Sequence, residues 1–263
     1  MTTIKELYDY REMIFSLVRK DLRGRYKGSV LGFLWTFINP LFQLIVYTIA
    51  FSFILKSPIE KYYLYLFVAL VPWIFFSASI QGGANSINAA KNLVTKIYFP
   101  REVIPISYVT SCFVNMLLTF IIIFIVLAFS VVFSDVQINF IALLTLPVIW
   151  VVEYVMALGL ALLFSAVTVF FRDMEHILGI ITMAWIYLTP VLYPIETIQN
   201  ERIRKLFYIN PMTSVIEAYR DVLYYARVPK FSTLMIAVAF GIIMLVLGEF
   251  VFSKLKRHFA EVM

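Results

Sequence analysis

The sequence predicts an all-α polytopic membrane protein with six transmembrane helices, an N-terminal amphipathic interface helix, and re-entrant or amphipathic helices in the last outer loop. Three observations predict it. Of 263 residues, 62% are hydrophobic and only 14% charged, whereas soluble domains run near half apolar and a quarter charged. Uncharged runs at 28–55, 62–90 and 103–134 are 28, 29 and 32 residues long, and about 20 residues suffice to cross the hydrocarbon layer. Finally, with the N-terminus in the cytoplasm, inner loops hold 14 of the 22 Lys and Arg and outer loops hold 8, the bias that sets membrane topology. Both termini are therefore expected in the cytoplasm.

The chain divides into an interface segment, 1–29, and a transmembrane domain, 30–263. In the first, 10–26 reads as a surface helix. Tyr10, Met13, Ile14, Leu17, Val18 and Leu22 recur at helical spacing, with Arg11, Glu12, Ser16, Arg19, Lys20 and Arg23 opposite. An apolar stripe against a basic face beds into the headgroups of an anionic leaflet. It serves either as a simple anchor or as a contact for a soluble partner as well. The first apolar run begins near residue 28, too late and too long for a cleavable signal, so it reads as a retained anchor.

Spans are expected at 30–55, 62–86, 103–133, 139–170, 177–193 and 231–253. The fourth carries Glu153 near its middle but no turn sequence there, so it reads as one long or tilted helix. Between the second and third spans, Leu93, Val94, Ile97 and Tyr98 line one side of a short helix and Lys91, Asn92, Thr95 and Lys96 the other. Pro100 is expected to end it. The fifth span finishes in Thr189-Pro190-Val191-Leu192-Tyr193-Pro194, so its outer end should be broken. After a charged patch at 201–205 and Asn210-Pro211, residues 212–226 hold helical periodicity but are too polar to span. They read as a re-entrant helix or one lying on the outer leaflet.

Aromatic residues are 17% of the chain. Trp35, Tyr62, Tyr63, Tyr65 and Trp73 fit interfacial belts. Phe37, Phe42, Tyr47, Trp185 and Tyr187, with Trp35, are candidates to line a passage, since rings pack against the C–H faces of sugars; lipid-facing packing is the alternative for each.

Sites for covalent chemistry are not found. The chain lacks G-x-x-x-x-G-K-[ST], G-x-S-x-G and H-E-x-x-H, and has one cysteine, Cys112, and two histidines, His176 and His258. No catalytic or metal-binding residue is assigned. The net charge of +6 reads as topology rather than nucleic-acid binding. Glu153 and Glu249 are isolated intramembrane acids, thin support for a proton relay.

Three motifs together carry a resemblance. Arg25-Tyr26-Lys27-Gly28-Ser29-Val30-Leu31-Gly32-Phe33-Leu34-Trp35 with Asn39-Pro40, then Phe99-Pro100-Arg101-Glu102, and then Phe171-Arg172-Asp173 with Asn210-Pro211 and Arg220 resemble the permease subunits of ABC-2 type polysaccharide exporters. That family moves O-antigen, capsule and wall teichoic acid. The resemblance implies a homodimer in a bacterial cytoplasmic membrane, driven by two copies of a separate ABC ATPase that binds the ATP and Mg, with no cofactor in this chain. It implies that Lys91, Lys96, Arg101, Glu102, Arg172 and Asp173 meet the ATPase, and that the first and fifth spans of two copies line a path for a lipid-linked polymer. Pro190, Tyr193, Pro194, Tyr219 and Arg220 would form an outer gate. The rivals are a membrane transferase, which lacks its cluster of acids or histidines, a carrier using Glu153, and an ABC-2 permease for drugs or small lipids.

Overall fold

The computed structural model describes residues 4–24, 28–54, 58–134 and 137–262. Among these the regular structure is helical: α1 (Ile4–Asp9), α2 (Arg11–Gly24), α3 (Trp35–Thr48), α4 (Tyr62–Ala89), α5 (Lys91–Lys96), α6 (Val103–Ser134), α7 (Phe140–Leu143), α8 (Leu146–Phe170), α9 (Met174–Leu188), α10 (Glu201–Ile209), α11 (Pro211–Leu223), α12 (Phe231–Leu255) and α13 (Phe259–Val262). The motif residues Arg25, Tyr26 and Lys27, and the C-terminal ends of the expected surface helix (Tyr26) and first span (Leu55), lie outside the described residues.

Five helical segments are long and apolar enough to cross a membrane among the described residues: Gly32–Ile54, Tyr62–Ala89, Val103–Phe133, Phe140–Phe170 and Phe231–His258. The expected fifth span is shorter than 177–193. As α9 it has 15 residues, about 22 Å at 1.5 Å per residue, against a hydrocarbon core of about 30 Å. The buried, non-helical run 189–192 extends it. The fourth span is not one continuous helix. A turn at Leu144–Thr145 separates α7 from α8, and Pro147 then occupies the first turn of α8, where its missing N–H costs nothing. Asn139 caps α7 through its side-chain oxygen.

α4 is the core of the bundle. It is apolar all round and buried along most of its length, as a central helix must be. The first span is its opposite: Phe42, Ile45 and Val46 of α3 are exposed, as are Ile49 and Phe53 of the π-helical turn Ile49–Ile54 that continues it. α8 and α12 cross most closely. A Cβ on Gly159 would lie 2.5 Å from the Leu245 nitrogen, and one on Gly248 would lie 2.4 Å from the Gly159 oxygen. Small residues let two backbones touch where lipid supplies no hydrophobic drive for association.

The N-terminal helices α1 and α2 and the C-terminal segment through α13 gather at one end of the bundle, hereafter the terminal end. There Leu7, Tyr10, Met13, Ile14 and Leu17 pack on a cluster that includes Val94, Phe99, Phe252 and Phe259. The apolar stripe of the surface helix thus faces protein, not headgroups, because α6 and the C-terminal segment offer it a drier partner. Its basic residues Arg11, Arg19, Lys20 and Arg23 are exposed, and Asp21 accepts a hydrogen bond from the Ser111 hydroxyl of α6.

Candidate functional site

At the distal end the sequence breaks α9, and side chains from elsewhere take up the backbone groups that the break releases. The last carbonyls of a helix have no partner within it. Here Tyr193 donates to the Tyr187 oxygen at 2.5 Å and Asn210 Nδ2 to the Leu188 oxygen at 3.1 Å. Arg220 Nη2 donates to the Val191 oxygen at 2.7 Å and Tyr62 to the Leu192 oxygen at 2.8 Å. Asn210 also donates to Thr189 Oγ1 at 2.8 Å, while its own oxygen caps α11 by accepting from the Met212 N–H at 3.1 Å. Irregular backbone at membrane depth is tolerated only where protein satisfies it in this way.

α11 is wedged between α4, α8 and α12. All of it is buried except the half-buried Glu217, its polar residues Thr213, Ser214, Arg220 and Asp221 included. It is therefore inserted into the bundle rather than laid on the outer leaflet. Arg220, fully buried, has its guanidinium 3.7 Å from the Tyr65 ring centroid and 3.1 Å from Glu217 Oε1. Burial raises the Glu217 carboxyl above its ordinary range, and Arg220 draws it partly back. Burial raises Asp221 likewise, against the pull of Arg227, which pairs with it at 2.6 Å. One position before Arg220, Tyr219 donates to Glu153 Oε2 at 2.6 Å.

The charged patch at 201–205 belongs to a second helix in this region, α10, not singled out in the sequence as one. Its signal was Asn200, whose side chain caps α10 by accepting from the Arg202 and Ile203 N–H groups at 3.0 and 3.4 Å. Tyr62, Tyr65 and Trp73 are corrections to the interfacial belt: they are 2%, 1% and 5% exposed. Two of them face the broken end of α9 and its arginine instead of headgroups.

The candidate path-lining aromatics do not share one surface. Phe42 and Tyr187 are exposed on apolar faces of α3 and α9, whereas Trp35, Phe37 and Tyr47 are half-buried. Trp185 turns into the bundle, its ring 5.4 Å from Phe76 and 6.4 Å from Trp73.

At the terminal end, α5 stops at Lys96, four residues before Pro100, because Ile97 is already extended. Val94 packs inward, while Ile97 and Tyr98, expected on the same face, are exposed. Lys91 and Arg172 border one depression of about 290 Å³, with Asp173 exposed beside it. Lys96 is exposed on a different cavity. Arg101 and Glu102 turn to the C-terminal segment: Arg101 donates to the Lys256 oxygen and lies 5.7 Å from the Phe259 ring, and fully buried Glu102 pairs with Lys256 Nζ at 2.5 Å.

The sequence pattern of the ABC-2 type transporter family matches residues 12–224. The chain belongs to that family. It is 36% identical over 259 residues to the O-antigen export system permease protein RfbA of Myxococcus xanthus, covering 98% of each. The protein of the same name from Klebsiella pneumoniae is 31% identical over 252 residues, 96% of this chain and 95% of that one. The polysialic acid transport protein KpsM of Escherichia coli is 23% identical over 208 residues, 78% of this chain and 79% of that one. As an ABC-2 family member the chain is a transport component, and its multi-pass helical architecture is that of a membrane protein.

Proposed function

We propose that this chain is the permease of an ABC exporter that carries a lipid-linked polysaccharide of O-antigen or teichoic acid type across a bacterial cytoplasmic membrane. The observation that carries the reading is the full-length likeness to relatives named as O-antigen export permeases. The terminal end faces the cytoplasm, in keeping with the Lys and Arg bias. Two copies of the chain pair, and their exposed α3 and α9 faces, with Trp35, Phe37, Phe42, Tyr47 and Tyr187, border the glycan path. Two copies of a separate ATPase bind ATP and Mg and dock on the surface formed by α5, Tyr98 and the Arg172-Asp173 turn.

A glycan cannot cross hydrocarbon unaided, because each unpaired hydroxyl costs several kcal/mol there, about 2–7 depending on the reference. A conduit and an external energy source meet that need. At the distal end, Pro190, Tyr193 and Pro194, held by Arg220 and Asn210, form the gate that the polymer must pass. Glu153 is fully buried and accepts a hydrogen bond from Tyr219, so in this reading it is a structural tie between helices. Deleting the gene tests the reading: the polymer should then be made but stay inside, reached by a glycosidase only after the cells are opened. Normal display of polymer at the surface of the deletion strain would refute it.

A further inference from the structure

Between α3, α4 and α6 lies a small cavity of about 60 Å³, room for about two waters at ~30 Å³ each. Pro40 of α3 forms one wall, apolar side chains of α4 such as Val71 and Phe75 a second, and Cys112, Asn115, Met116 and Thr119 of α6 the third. Two of these residues are polar in an otherwise apolar place. Asn115 Oδ1 is buried, and no protein donor reaches it. The Thr119 hydroxyl gives its hydrogen to the Asn115 backbone oxygen at 2.9 Å, which leaves its lone pairs as acceptors.

The first span meets this seam along a single stripe. In α3 the buried residues are Thr36, Pro40 and Leu44, each one helical turn from the next, while Phe42, Ile45 and Val46 are exposed. The stripe begins polar. The Thr36 hydroxyl is buried without a hydrogen-bond partner, and Pro40 has no N–H to give the Thr36 carbonyl. Polar groups are therefore left over on both helices that border the cavity. Native proteins nearly always supply a partner to such groups, from protein or from ordered water.

We propose that this cavity is a binding site for ordered water, which hydrogen-bonds Asn115 Oδ1 and Thr119 Oγ1 on α6 and links them to the proline turn Thr36–Pro40 of α3. Water both donates and accepts. It can give hydrogens to the Asn115, Thr119 and Thr36 carbonyl oxygens and take one from the Thr36 hydroxyl. Cavities that stay dry are apolar, and this one is not. It is too small for a lipid tail, and no charged side chain lines it to hold an ion. The link is also exchangeable. When the first span shifts against α6, water turns to a new partner where a direct bond between the helices would have to break. The site belongs to the fold and stands whether or not the transported molecule is a glycan.

The test is hydroxyl-radical footprinting of the full-length permease in lipid nanodiscs. A short X-ray pulse splits bound water into radicals that oxidise the side chains beside it. Cys112 and Met116 line the cavity, are readily oxidised, and are only 3% and 2% exposed. Met116 should be oxidised several-fold faster than Met156, which is 0% exposed and packed against Gly241. Thr119→Val keeps the size of the cavity and removes an acceptor, and Asn115→Leu puts an apolar group in the water's place. Each should slow oxidation of Met116 to the rate of Met156, and Thr119→Val decides alone where Asn115→Leu fails to fold. Equal rates for Met116 and Met156 in the wild type would overturn the proposal. Fast oxidation of Met116 that persists in Thr119→Val would overturn it too, since it would mark an open crevice and not a seat for bound water.

Discussion

The Tyr219 hydroxyl lies 2.6 Å from Glu153 Oε2, so the acid at the middle of α8 is tied to the inserted helix α11. The bond joins the fourth span to the inserted helix, and the surrounding bundle buries the carboxylate fully. Glu153 thus ties α8 to α11.

Glu153→Gln keeps an acceptor for Tyr219 and removes a charge that is costly inside a membrane. ATP-driven transport should stay within about twofold of wild type, and the melting temperature should hold or rise. Tyr219→Phe deletes the bond and should cost about 1–3 kcal/mol, the penalty for stranding a buried polar partner. Thermal melts in detergent and flux in vesicles check both; abolished transport in Glu153→Gln would revive a carrier.

Arg220 serves the broken end of α9, the Tyr65 ring and Glu217 at once. Lysine has no planar fork to do this, and removing one partner of a buried pair costs about 3–5 kcal/mol. Arg220→Met should therefore unfold the distal end in melts. The double variant Arg220→Met, Glu217→Met should recover part of the loss, since no stranded charge remains. Equal melting temperatures for wild type and Arg220→Met would contradict this.

Gly159 leaves no room for even one methyl group against Leu245. Gly159→Ala should force α8 and α12 apart and cost about 1–3 kcal/mol, the usual range for overpacking. Gly179, with nothing within 4 Å of its Cβ position, is the control, and its alanine variant should melt like wild type.

Lys256 and the exposed cations at the terminal end should behave differently. Lys256→Met withdraws the ammonium paired with buried Glu102, so the protein itself should lose about 3 kcal/mol of stability. Lys91→Glu with Arg172→Glu changes exposed side chains, so the permease should fold normally yet fail to bind its ATPase in pull-downs. Normal pull-down by the charge-reversed pair would dismiss that docking surface.

Much of this fold was legible because apolar length and helix breakers leave strong marks. The runs at 62–90 and 103–134 could only be spans, and Pro190 and Pro194 announced the break in α9. What stayed hidden was the destination of polar groups. Tyr62 and Tyr65 have the pattern of belt residues, and only the fold reveals that Arg220, more than 150 positions away, waits to meet Tyr65. The turn before α8 leaves no mark in the sequence because Leu144 and Thr145 carry no turn signature, and Pro147 marks a helix start as readily as a break. Glu102 looked like a surface charge beside Arg101; its burial depends on Lys256 arriving from the other end of the chain.

The proposed permease passes a lipid-linked glycan only when a separate ATPase drives it. The most direct measurement places the permease in sealed vesicles loaded with fluorescent lipid-linked glycan, and follows its appearance on the far leaflet by quenching. Transport should be absent with the permease alone or with ATP alone, and should begin when ATPase and ATP are both supplied. Movement of the glycan by the permease without its ATPase, or steady hydrolysis by the complex with no glycan moved, would contradict the account.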